Sequence, residues 1–274
     1  MKTKTIGTWM VALALACLPA AAAVPDQLSM QVTGHISTAV DGTVSGYALD
    51  KPELLSKDVI ALIDTSVRAW RFEPVMKDGK AVPETATMSL ALVAKKTGDD
   101  QYRTAIRSAS FSGNEVAISG VTMTPPPYPP DAARAGVGGT VYLVVLVDDH
   151  GAVERAAVEE VDLDSDSKAL SRTRLRRALA DAAVAQSKQW KFTAPPSGAD
   201  AMARTVRVPT EFTMMADGRD PSRYGQWKAY FPGPRTTVPW LKDTRADAAP
   251  IAASAGAVQP IQPALVLKTP LDAS

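Results

Sequence analysis

Seven consecutive apolar residues, Val141-Tyr142-Leu143-Val144-Val145-Leu146-Val147, constrain this chain more than any other stretch. Side chains alternate faces along a strand, so Val141, Leu143, Val145 and Val147 share one face while Tyr142, Val144 and Leu146 share the other. A strand apolar on both faces must be central and covered twice, or must meet a partner with its second face. The surrounding punctuation fits a small unit over 125–215. Pro126-Pro127-Tyr128-Pro129-Pro130 leads into a short helix at Asp131–Ala135, which Gly136 ends. Asp148-Asp149-His150-Gly151 turns the chain, and Val153–Val161 returns it. The sequence then predicts an acidic, solvated loop at Asp162–Lys168. A helix follows whose stripe is Leu175, Leu179, Ala182, Ala183, Gln186 and Trp190. Arg172, Arg174, Arg176 and Arg177 surround its start against the helix dipole, with Asp162, Asp164 and Asp166 available to compensate. Thr205–Phe212 alternates cleanly as a closing strand. Pro209 removes a ladder donor, so at least one side of that strand should be an edge.

Upstream, the same order recurs in looser form over residues 24–96. Met30–Val40 alternates as a half-buried strand, Asp41-Gly42 is a hairpin turn, and Thr43–Ala48 is the return strand. Ser56 is placed to cap a helix with Asp58 in its first turn, and Val59, Ile60, Ile63, Val67 and Trp70 draw one stripe. Arg71-Phe72-Glu73-Pro74 stops it, Lys77-Asp78-Gly79-Lys80 turns, and Thr85–Ala94 alternates again. Trp70 and Trp190 each end a helix and precede a basic residue and phenylalanine, 120 residues apart. Recurrence of a whole element order implies duplication, so two tandem domains are expected. Residues 97–124 read as a polar linker that adds an edge strand. Tyr224, Trp227, Tyr230, Phe231 and Trp240 make 216–247 an aromatic arm packed on a domain, and 248–274 is an Ala/Pro-rich flexible tail.

The first 23 residues have the three parts of an export signal: basic Lys2 and Lys4, apolar Trp9–Leu18, and small residues ending in Ala21-Ala22-Ala23. Pro19 and the alanine run favour cleavage. Against it, Ile6–Val24 offers 19 uncharged residues, just enough for a retained inner-membrane anchor. A third reading, lipid attachment at Cys17, is opposed by Ala14. Both outcomes of export expose the chain to the periplasm. Removal of Lys2 and Lys4 takes the net charge from +1 to −1. So neutral a chain has no field to attract polyanions, which excludes nucleic acid as a partner. Cys17 is the only cysteine of the 274 residues, so no disulfide or thiolate chemistry is expected beyond the signal.

Catalytic and metal readings find little support. The two histidines are His35, a polar-face strand residue, and His150, at a turn beside Asp148 and Asp149. There is no G-x-S-x-G elbow, and Asp162–Asp166 lacks the glycine and terminal glutamate of a calcium loop. No catalytic residue, metal site or cofactor is expected, and the helix-end tryptophans read as core anchors.

Residues 126–215 resemble the C-terminal domain of TonB-family energy transducers. The resemblance rests on Pro126, Tyr128-Pro129, Ala132-Ala133, Gly139-Thr140-Val141, Val145, Val147-Asp148 and Gly151-Ala152-Val153. It continues through Trp190-Lys191-Phe192, Pro195, Val206-Arg207-Val208-Pro209 and Phe212. The upstream unit matches through Gly34-His35-Ile36, Asp41-Gly42-Thr43-Val44 and Trp70-Arg71-Phe72-Glu73-Pro74, without the proline-rich helix start. The resemblance implies an α+β fold of small antiparallel sheets, each with one or two packed helices. It also implies a periplasmic binding protein whose last strand pairs with an extended peptide from an outer-membrane receptor or transporter, in energy-dependent transport. The residues so implied are Arg204, Val206, Arg207, Val208 and Glu211, with the three charges reading partner charges. The alternative is a non-energised envelope scaffold or adaptor. The chain departs from the family in having no proline-rich spacer and no evident motor-contact motif. Energy coupling would need residues 1–23 retained.

Overall fold

The computed structural model describes residues 27–98, 101–113, 118–165, 169–214, 224–241 and 257–271, with the side chains of 169 and 170 excepted. The expected export signal at 1–23 lies outside them. Along the first part run β1 (Gln27–Thr38), β2 (Val44–Leu49), α1 (Lys57–Ala69), β3 (Val75–Lys77), β4 (Lys80–Val82), β5 (Glu84–Gly98) and β6 (Gln101–Gly113). Then come β7 (Gly120–Thr122), α2 (Pro130–Ala135), β8 (Gly139–Val147), β9 (Val153–Leu163), α3 (Ala169–Ser187), β10 (Lys191–Phe192) and β11 (Thr205–Phe212). Two short strands finish the order, β12 (Lys228–Ala229) and β13 (Gln259–Pro260).

The result is a mixed α/β fold with two main antiparallel sheets. In the first, β1 pairs with β2 and β12 on one side and β5 on the other, and β6 follows β5. In the second the order is β13-β11-β8-β9. Each sheet packs a helix over one face. Val59, Ile63 and Val67 of α1 are buried with Met30, Val32, Ile36, Met88 and Leu90. Leu175, Leu179 and Ala183 of α3 are buried with Val141, Leu143, Val145 and Val147. Ser56 caps α1 as its position predicts, accepting from the Val59 amide at 3.3 Å. Gly136 ends α2 at φ 64°, where a side chain would be strained.

The closing segments of the two units have the same geometry. Each helix ends at a buried tryptophan, Trp70 and Trp190, both 2% exposed. Each tryptophan lies edge-on to the phenylalanine two residues on, at 6.4 Å and 6.5 Å between centroids. Phe72 donates its amide to Gly42 O and Phe192 to Gly151 O, each at 2.8 Å. Both glycines are left-handed, at φ 80° and 81°, and a Cβ on either would sit 2.1 Å from the phenylalanine carbonyl oxygen. Only glycine fits there.

The strand laid alongside each closing segment has a different origin. In the second unit β10 pairs with β7, Thr193 donates to Ser119 O at 2.8 Å, and Ile118 enters the core. In the first unit, residues from the far C-terminus do the same work. Phe72 bridges Leu267, Glu73 donates to Val266 O at 2.9 Å, and Leu265 enters the core at 1% exposure. The C-terminal stretch read as a flexible Ala/Pro tail is therefore ordered structure over 257–271. Proline breaks a helix or ladder within the stretch, but the main chain of Arg71–Glu73 pairs with it: Arg71 O accepts from Lys268 and Glu73 donates to Val266 O.

Two further expectations change. The linker at 97–124 contributes β6, a 13-residue strand paired along the length of β5 rather than a short edge piece. The predicted acidic loop begins instead as the end of β9, with Asp162 only 5% exposed. Alternation failed to signal this because three acidic residues face a covered surface, described below. Asp166 lies outside the described residues.

Gly151→Ala should cost roughly 2 kcal/mol or more, since it adds a steric clash to left-handed strain, and Gly42→Ala should cost the same. Gly79→Ala is the control: it also has positive φ (75°), but its Cβ would meet open space. Its cost should stay near 1 kcal/mol. Urea unfolding of the three variants checks the ranking.

Candidate functional site

The closing strand β11 carries the residues implied as a binding edge. Its register against β8 is unbroken, from Thr205↔Leu146 to Phe212↔Gly139. Arg204 O accepts from Val147 N–H and Thr205 O accepts from Ile261 N–H, so main-chain groups alternate between the two sides. Residues 206, 208, 210 and 212 bond inward to β8, and 205, 207, 209 and 211 point outward. Pro209 falls on the outward side, so its missing N–H costs the β8 ladder nothing. The sequence predicts an edge on one side of this strand; in the structure β13 lies along the start of that side, so β11 sits between β13 and β8.

Along that edge, β13 pairs only with Val206 and Arg207, through Pro260 and Gln259. The first unit differs at the equivalent place. There β6 pairs with β5 from Ala86↔Gly113 to Gly98↔Gln101, so its closing strand is covered over residues 86–98.

The side chains of the expected site are already engaged within the chain. Val206 and Val208 are 1% and 0% exposed and belong to the core under α3. Arg207 is buried and makes a two-pronged contact with Glu159, Nε to Oε2 at 2.7 Å and Nη2 to Oε1 at 3.1 Å. Arg204 donates to Val147 O at 3.2 Å and to Glu154 at 3.4 Å. Glu211 accepts from Lys228 Nζ at 2.9 Å. The three charges expected to read a partner are thus neutralised internally, because β9 and the arm bring opposite charges across the sheet. What β11 can offer a partner is main chain.

The second face of β8 is covered by the chain itself, which settles the two options its sequence left open. Val144 packs with Val238 and Leu241, and Trp240, Met202 and Ile261 lie against them. The arm bridges the two sheets on its way. Lys228–Ala229 pair with β1 at Ser29 and Leu28, and Phe231 then pairs with Leu163 of β9. Arg176 of α3 locks the crossing, donating to Val161 O, Phe231 O and Pro232 O at 3.1, 3.0 and 2.9 Å. Of the four arginines expected at that helix start, this one holds the arm.

Between the sheets lies a buried polar layer that sequence periodicity did not reveal. Arg107 of β6 reaches Glu160 of β9 at 3.1 Å, approaches Asp162 at 3.9 Å, and sits 5.2 Å over the Tyr230 ring. Asp162 Oδ1 accepts from the Gly233 amide at 3.0 Å. Its Oδ2 is buried, and burial together with the Glu160 carboxylate beside it raises the Asp162 pKa well above the ordinary value. Glu159 behaves oppositely. Burial opposes its ionisation, but Arg207 and Arg235 outweigh that and hold its pKa below the ordinary glutamate value. Asp148 at the turn spends one oxygen on the amides of His150 and Ala152, at 2.9 and 2.7 Å. Among the described residues no three His, Cys, Asp or Glu side chains gather as a metal site.

These opposed shifts give opposed pH dependences. Asp162 binds its proton more tightly folded than unfolded, so stability falls as pH rises from about 4 through its folded value. Asp162→Asn, which keeps an acceptor for Gly233, should remove that slope and raise stability at pH 7. Glu159 contributes stability that is full above its unfolded pKa and lost as pH falls through its folded value. Glu159→Gln should cost about 3 kcal/mol at pH 7 by stranding Arg207, with the deficit shrinking toward pH 3. Denaturant unfolding of both variants across pH 3–8 measures the two slopes.

With this geometry in hand, comparison with known proteins is specific for the second unit. Residues 124–214 match the family model for the Gram-negative bacterial TonB protein C-terminal region. The chain is 41% identical over 102 residues to a Protein TonB of Xanthomonas campestris pv. campestris strain B100, and equally so to that of strain ATCC 33913. That match covers 37% of this chain, and the chain spans about 40% of the length of these curated relatives. No solved structure is a significant match. Proline-led α2, the doubly covered β8, the glycine turn, the Trp-Lys-Phe closure and β11 all fall inside the matched region, and residues 124–214 are a TonB-family C-terminal domain.

Proposed function

We propose that this is a non-enzymatic periplasmic TonB-like protein that binds an extended segment of an outer-membrane transporter or envelope partner, in energy-dependent transport. The observation that supports the reading is the outward side of β11: of its four outward-facing residues Thr205 and Arg207 meet β13, while Pro209 and Glu211 pair with no other strand among the described residues. Unpaired main chain on an edge strand supplies affinity through β-sheet augmentation. Arg204 and Glu211 flank the edge, Arg207 and the core-facing Val206 and Val208 hold it rigid, and Pro209 limits how far a partner strand can extend. The first unit is read as a degenerate TonB-like domain, on the strength of its matching glycine turn and Trp-Arg-Phe closure. Its own closing strand pairs with β6 over residues 86–98.

Location and force follow from residues 1–23. Export places both units in the periplasm, and transmission of force needs that segment kept as an inner-membrane anchor. Among the described residues no helix is long and apolar enough to cross a membrane. The second reading, an envelope scaffold without energy coupling, is favoured by the internal pairing of Arg204, Arg207 and Glu211.

A photoreactive residue replacing Glu211 in intact cells should crosslink to an outer-membrane protein, identified by mass spectrometry. The same residue replacing Met76, on the exposed β3–β4 hairpin, should not capture that protein. Equal capture from both positions, or none from Glu211, rules the edge out as the docking surface.

A further inference from the structure

The C-terminal segment touches both units, and its two halves are held differently. The second half is fixed on the first unit. Ala264 donates to Phe111 O and Lys268 to Arg71 O, both at 2.8 Å, while Val266 O accepts from Glu73 at 2.9 Å. Thr269 Oγ1 accepts from the Arg71 amide at 2.8 Å, and Leu265 is buried in the first core. The first half rests more lightly on the second unit. It has two residue pairs with β11 and one longer bond, Ile261 N–H to Thr205 O at 3.2 Å. Gln259 is 6% exposed, yet its side-chain Oε1 is buried with no hydrogen-bond partner among the described residues. A buried acceptor left unsatisfied works against the contact that buries it. Pro260 carries no N–H on the side away from β11, so no further strand can build outward through it.

We infer that residues 257–261 form a displaceable strand that occupies the β11 edge in cis, hinged on the fixed stretch 264–269. The inference rests on the reading that this edge receives an extended partner segment, and it adds the regulation of that site. A tethered strand competes at millimolar effective concentration. A partner segment therefore binds with its intrinsic affinity reduced by the fraction of time the edge is open. Two pairs can be exchanged for a partner strand while the anchor keeps the first unit intact. The β5 edge offers no such exchange, because β6 covers it along its length.

Two measurements on the full chain test this. In native-state amide exchange, Arg207 and Ile261 should exchange at least tenfold faster than Glu73 and Lys268. Equal protection would show that the strand opens only with global unfolding, which overturns the inference. In the second, Gln259→Pro removes an N–H facing β11 and leaves the anchor alone. A labelled synthetic peptide with the sequence of residues 257–262 should bind this variant at least tenfold more tightly than wild type. Equal affinity, or no binding to either, overturns the inference. Unchanged protection at Glu73 confirms that the variant is folded. The probe is the chain's own sequence, so this readout is independent of whether Glu211 crosslinks to an outer-membrane protein.

Discussion

Two hydrogen bonds of 2.8 Å, from Phe72 to Gly42 and from Phe192 to Gly151, hold the design together. Each ties the chain leaving a helix to the hairpin turn that began the sheet beneath it. Position i+3 of the turn must be left-handed and must carry no side chain, because the phenylalanine carbonyl comes within 2.1 Å of where a Cβ would be. Once this closure forms, the tryptophan before it is driven into the core and the helix stripe is set on one sheet face. The following chain is then aimed back to become the closing strand. In both units the closure also leaves a short length of main chain that needs a partner strand.

How that need is met distinguishes the units and joins them. The second unit uses its own preceding residues, 118–124, with Thr124 O also accepting from the Trp190 indole at 2.9 Å. The first unit instead recruits residues 265–268, nearly two hundred positions later in the chain. The arm adds a second link by extending β1 and then bridging β9. Arg107 adds a third, through Glu160. The sheets are thus bound by chain crossings and by a polar layer in which burial raises the pKa of Asp162 while two guanidinium groups lower that of Glu159.

The same architecture sorts the edges. A hairpin partner as long as β6 makes the first unit's closing strand permanently internal, whereas β11 receives a two-residue partner from a segment anchored elsewhere. Natural sheets blunt exposed edges with proline and short strands, and both devices are present at Pro209 and Pro260.

Local chemistry made a good part of this legible in the sequence. Doubly apolar Val141–Val147 called for a central strand, Ser56 and Gly136 marked helix boundaries, and Trp70 and Trp190 marked two helix ends that close against a glycine turn in the same way. Those features depend on neighbours within a few residues, where backbone preference and side-chain period decide. The site was less legible. That Arg204, Arg207 and Glu211 would be paired internally, that Asp162 would be buried, and that an Ala/Pro-rich tail would become a strand all depend on residues 17 to 198 positions away. Periodicity carries no record of such distant partners. Sequence alone determined which segments could be strands and helices; only tertiary structure decided which strand edges are paired, because the pairing strands come from distant parts of the chain.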